Sequence, residues 1–170
     1  MSGPEHGEHG HVHDEACLAA HGELDLPPDQ RRLVLVFASP VAQEMAELAG
    51  RLGWPVTLLD PPGTTVEQAR LDAGCDVVVC DHDRPELGDV LAEVLAGPYR
   101  WVGVMGSLRH TAPHVAALRE RGVAEADIAR VHRPIGLDVG SRTPAEIALS
   151  TVAGLLADRN GRPGGAFPAA

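Results

Sequence analysis

Five short stretches of this chain carry residue types able to do chemistry. Cys80-Asp81-His82-Asp83 sets an imidazole between two carboxylates, which can orient it, tune its proton affinity or help it hold a metal. The same four residues also read as a solvated loop with an aspartate capping the next helix. In Gly106-Ser107-Leu108-Arg109, the glycine permits close backbone approach, the hydroxyl can donate to a phosphate, and the guanidinium can make a forked contact to an anion. A turn glycine followed by a capping serine is the plainer alternative. The stretch Pro134–Pro144 holds Gly136, Asp138, Gly140 and Arg142 just ahead of a helix start, where free backbone N–H groups favour an anion. Capping that helix takes only Thr143, Pro144 and Glu146 and leaves Gly136, Asp138 and Gly140 unexplained.

The other two stretches have weaker geometry. His9, His11 and His13 alternate, so in an extended chain their imidazoles share a side and could converge on a divalent metal such as Zn, Ni or Cu. A solubilising tail with incidental metal affinity accounts for them as well. Phe37-Ala38-Ser39-Pro40-Val41-Ala42 stands where a dinucleotide-binding fold carries Gly-x-Gly-x-x-Gly/Ala, and Asp60 follows at the distance of the ribose-binding acid. Phe37 and Ser39 occupy the two glycine slots and Pro40 removes a donor. The turn therefore reads as structural, with Asp60 as a strand-end acid, and NAD(P) remains a weakly supported cofactor.

Composition bounds what these stretches can serve. With 170 residues and 44% apolar side chains, the chain can bury the core of one domain. The net charge of −10 is concentrated at one end. Residues 1–30 hold seven acids and no arginine, leaving the remainder near neutral. No basic stripe suggests a nucleic-acid partner. No secretory signal or long apolar run suggests a membrane, and three cysteines without framework spacing fit a reducing, cytoplasmic setting. Residues 1–30 read as a disordered, His-rich, acidic tail and linker. Residues 31–159 read as the folded domain and 160–170 as a flexible C-terminal tail.

The elements that must position the chemistry follow from periodicity. Unbroken apolar runs at Leu33–Phe37, Val56–Leu59, Asp76–Cys80 and Tyr99–Met105 predict buried strands, with a further short strand around Ile128–Val131. Helical stripes at Val41–Leu52, Val66–Ala73, Pro85–Leu95 and Thr111–Arg121 alternate with them. A last helix, capped by Thr143-Pro144 with Glu146 completing a capping box, runs to about Asp158. This alternation predicts an α/β fold: a single doubly wound, three-layer, Rossmann-like domain with a parallel sheet covered on both faces. Ligands of such sheets sit beyond the C-terminal strand ends, where the central stretches fall.

Several motifs in this order resemble the C-terminal Rossmann-type domain of the xanthine dehydrogenase accessory (XdhC) family. They are His82-Asp83 after a Val-rich strand, Asp89 before Val90-Leu91, the run Tyr99–Arg109, Pro134-Ile135-Gly136-Leu137-Asp138-Val139-Gly140, and Thr143–Ser150. The resemblance spans about residues 32–159. It implies a non-catalytic accessory or chaperone protein that binds molybdenum cofactor (molybdopterin) as cargo, aids its sulfuration and protects it until insertion into a molybdenum hydroxylase client. His82, Asp83, Gly106, Ser107, Arg109, Gly136, Asp138 and Gly140 are the matching candidate binding residues. Family members usually have a Gly-Ala-Gly turn where this chain has Phe37-Ala38-Ser39, and a separate N-terminal domain with a Cys motif. The expected partners are the client enzyme and a separate chain supplying that domain; a homodimer is also compatible. The competing readings are an NAD(P)-binding oxidoreductase module and a metal-binding protein acting through the tail.

Overall fold

A computed structural model of the chain describes residues 15–22, 30–107 and 112–165. Four parallel strands, β1 (Leu33–Val36), β2 (Val56–Leu59), β3 (Asp76–Val79) and β4 (Trp101–Val104), form one sheet in the order β2-β1-β3-β4. The chain leaves β1 toward β2, then returns across it to β3, so the topological switch lies between β1 and β3. Strands with side chains buried on both faces need apolar residues at every position, and β1 and β3 supply them as Leu-Val-Leu-Val and Val-Val-Val.

The alternating side chains build two cores. Val34, Val36, Val77, Val79, Val102 and Val104 face α4 (Leu87–Ala96), α5 (Pro113–Glu120) and α6 (Glu125–Ile128), meeting Leu91, Val94, Leu118 and Ile128. Leu33, Leu35 and Val78 face α2 (Pro40–Arg51) and α7 (Pro144–Arg159), meeting Ala42, Met45, Ala49, Ala148, Val152 and Leu155. A short α3 (Val66–Ala69), opened by Thr65 in a capping box with Gln68, follows β2. The expected doubly wound, three-layer arrangement is present. Among the described residues no helix is long and apolar enough to cross a membrane.

Two stretches differ from their sequence reading. The strand expected around Ile128–Val131 is absent. Residues Glu125–Ile128 instead form the single turn α6, with Glu125 and Asp127 in its first turn, where carboxylates suit the positive end of the helix dipole. Parallel pairing survives only as one bridge between His132 and Gly103. Within the stretch read as a tail, α1 (Glu15–Ala20) forms a six-residue helix, built partly from the strong helix formers alanine and leucine.

Candidate functional site

Three segments leave the C-terminal side of the sheet and meet the start of α7. After β3 come Cys80, Asp81 and His82; after β4 come Met105, Gly106 and Ser107; the Pro134–Ser141 loop closes the ring above Ile147, Ser150 and Thr151. They enclose an open cavity of about 760 Å³. Small-molecule and cofactor sites occupy roughly 300–1,000 Å³ and combine apolar walls with a few polar groups. Here Val41, Met105, Ile135, Leu137 and Ile147 are the apolar share, beside His82, Asp81, Ser107, Asp138 and Ser141.

The loop is held by the helix it precedes. Thr143 Oγ1 accepts from Glu146 N, and the Glu146 carboxylate accepts from Arg142 N at 2.6 Å and Thr143 N at 3.1 Å. These two backbone donors hold the Glu146 carboxyl below its ordinary range. Leu137 N donates to Ser150 O at 3.1 Å, fastening the middle of the loop to the second turn of α7. Gly136 sits at the tightest point, with φ 87°, where an added Cβ would lie 3.1 Å from the Ser150 carbonyl carbon. Only glycine meets both demands without strain.

Gly106 does the same work after β4. Its φ is 153°, and a Cβ there would stand 2.6 Å from two nitrogens of the Arg133 guanidinium. Arg133 Nη2 donates to Ser107 O at 3.1 Å, tying the β4 turn to the start of the loop. Sequence reasoning passed over Arg133. The available signal was a cation directly ahead of Pro134, on a chain segment that must cross the strand ends.

Of the sequence-derived candidates, His82, Gly106, Ser107, Gly136, Asp138 and Gly140 line the cavity together. Asp83 does not line it. Its side chain is 86% exposed, with an oxygen 3.7 Å from His82 Nε2. Asp81 accepts from Asp83 N at 2.9 Å, which shapes the turn and leaves His82 half-buried at the rim. Arg109 lies outside the described residues, as do His9, His11 and His13. Among the described residues no group of three His, Cys, Asp or Glu side chains could hold a metal ion. Cys80, also on the wall, has its thiol pushed up to about 12, chiefly by burial. It is therefore protonated and unreactive near neutral pH.

Asp60 stands elsewhere, on the β1–β2 side. Its carboxylate accepts from Ala38 N at 3.2 Å and from Arg84 Nη1 at 3.2 Å. Arg84 also donates to Pro61 O and lies 4.8 Å from the centre of the fully buried Phe37 ring. Phe37 has φ 70°: the backbone keeps the left-handed conformation of a first-slot glycine while carrying a phenyl ring. Ser39 Oγ accepts from Ala42 N, using a donor at the start of α2.

A parallel Rossmann-like α/β domain with one composite pocket over the ends of β3 and β4 is the class that this fold and site define. The profile of the XdhC Rossmann domain matches residues 33–155, and the chain belongs to that family. It is 34% identical to the uncharacterized protein YqeB of Escherichia coli (strain K12), covering 79% of this chain and 28% of that protein. The fold is similar to a solved structure described as a xanthine dehydrogenase from Bacillus halodurans, with a TM-score of 0.63 and 19% identity over 82% of this chain and 45% of that one. The chain thus spans less than a third of YqeB and less than half of the chain in that solved structure.

Proposed function

We propose that this domain is an accessory factor for molybdenum hydroxylases of the xanthine dehydrogenase type, and that its pocket takes molybdenum cofactor as cargo. One observation carries the reading: segments far apart in sequence, each matching the family's motifs, line a single cavity of about 760 Å³. That volume suits a pterin with a terminal phosphate. Part of its donor set also fits: Ser107 and the Gly136, Asp138 and Gly140 N–H groups suit a phosphate, while Leu137, Val139, Arg142 and Thr143 N are already bonded to Ser150, Leu137 and Glu146. His82, Met105 and Ile135 share the cavity wall. No described side chain in the cavity is poised as a nucleophile, and Cys80 is held neutral. Holding, orienting and shielding a cargo from water is the work these groups can do.

Anaerobic titration of the full chain with molybdenum cofactor, followed by its absorbance, tests the reading. Saturable binding that weakens about tenfold in His82→Ala, equivalent to about 1.4 kcal/mol, is expected. Absence of saturable binding in the folded wild type would overturn it.

A further inference from the structure

We infer that Phe37, Arg84 and Asp60 form a plug that makes the pocket selective for a cargo ending in a single phosphate and closed to its nucleotide-extended form. This inference rests on the pocket taking the pterin cofactor, as proposed above. In open α/β sheets a two-part ligand straddles the switch point, with its pyrophosphate on the helix after β1 and its nucleoside over β1 and β2. Here the switch lies between β1 and β3, and the pocket lies mainly over β3 and β4, reaching the helix after β1 only at Val41 in the first turn of α2.

Several features of the other half are already occupied. The pyrophosphate position has lost donors: Pro40 has no N–H, Ala42 N is bonded to Ser39 Oγ at 3.1 Å, and Ala38 N is bonded to Asp60 at 3.2 Å. The space a first-slot glycine would leave open is the root of the Phe37 side chain, whose ring is buried under the Arg84 guanidinium. The acid at the ribose position, Asp60, is already paired with that guanidinium at 3.2 Å. Arg84 is fixed by Pro61 O at 2.6 Å and by Glu86 at 3.3 Å, so the lid is anchored on both sides. A nucleoside monophosphate joined to the cofactor phosphate through a pyrophosphate bridge would have to break these contacts together to lie across β1.

The test compares three probes on the full chain: molybdenum cofactor in its monophosphate form, the same cofactor carrying a cytidine nucleotide, and NAD. The monophosphate form is expected to bind at least tenfold more tightly than the nucleotide form, and NAD not to bind at millimolar concentration. Arg84→Ala, which frees Asp60 and uncovers Phe37, is expected to narrow the preference at least threefold without changing affinity for the monophosphate form. Circular dichroism confirms that the variant is folded, and Phe37→Gly provides a second opening of the same plug. Equal affinity of the wild type for both cofactor forms, or an unchanged preference in both folded variants, would overturn the plug and leave the cargo reading standing. Failure of the wild type to bind either form would overturn the cargo reading, and this inference with it.

Discussion

The Asp76 carboxylate accepts from Arg159 Nε at 2.7 Å, with both side chains fully buried. This contact joins the first residue of β3 to the last residue of α7. Arg100 Nε donates to the other Asp76 oxygen, and the Arg159 guanidinium lies 3.7 Å from the centre of the Trp54 ring. The two elements that carry His82 and the floor of the pocket are therefore locked together at the end of the sheet remote from the site. Removing one partner of such a pair leaves a buried charge without its counter-charge, at a cost of about 3–5 kcal/mol. Asp76→Ala is expected to lower Tm by about 10 °C or more, read by thermal unfolding. A loss under about 2 °C would show that the pair does not hold β3 to α7.

Gly136 and Gly154 test the loop in the same manner. A Cβ on Gly154 would stand 3.0 Å from Gly136 Cα, so α7 and the loop touch backbone to backbone. Gly154→Ala gains about 1 kcal/mol of helix propensity, set against about 1–3 kcal/mol for overpacking. The balance runs from neutral to about 2 kcal/mol destabilising, while the loop is pushed away from the helix. Gly136→Ala adds left-handed strain of about 1–2 kcal/mol at a position already short of space. Cargo affinity is expected to fall at least threefold in both variants, measured by titration, with Tm lowered more in Gly136→Ala than in Gly154→Ala. Unchanged affinity in both would mean that the seating of the loop does not shape the pocket.

His114, in the first turn of α5, is 3% exposed, and its Nδ1 has no hydrogen-bond partner among the described residues. Burial first, and the nearby Arg133 charge second, lower its proton affinity below the ordinary histidine value of 6.5. The unfolded chain therefore binds this proton at a pH where the folded chain does not. The linkage sign is a stability that is whole above about pH 6.5 and declines as pH falls below it. His114→Leu removes that decline. The fall in Tm between pH 7.5 and 5.5 should be smaller in the variant than in the wild type. An equal or larger fall would show that His114 is protonated at no cost in the folded protein.

The α/β class, the four main strands and the capping box at Thr143 and Glu146 were legible in the sequence because each is a local rule of periodicity or capping. The turn after Val123 was not. Ile128–Val131 has a strand's composition, yet the neighbouring acids favour a helical turn and tertiary packing leaves a single bridge at His132. Most of the pocket was legible as well. The rule that ligands lie at strand ends pointed to His82, Ser107 and the Gly136–Gly140 loop, and these line one cavity. Arg84 and Arg133 were missed because their importance depends on distant partners: Asp60 and Phe37 for one, Gly106 and Ser107 for the other. Asp60 fitted a ribose-binding acid by spacing alone, and spacing carries no information about Arg84 occupying its carboxylate.

Amide shift mapping by NMR of the ¹⁵N-labelled chain, titrated anaerobically with molybdenum cofactor, most directly tests whether one pocket at the ends of β3 and β4 receives the cargo. The expected result is a saturable set of perturbations at His82, Gly106, Ser107, Gly136, Asp138 and Gly140, with Phe37, Ala38 and Asp60 unmoved. Perturbations centred on Phe37, Ala38 and Asp60, or none at His82 and the Gly136–Gly140 loop at saturation, would contradict the account.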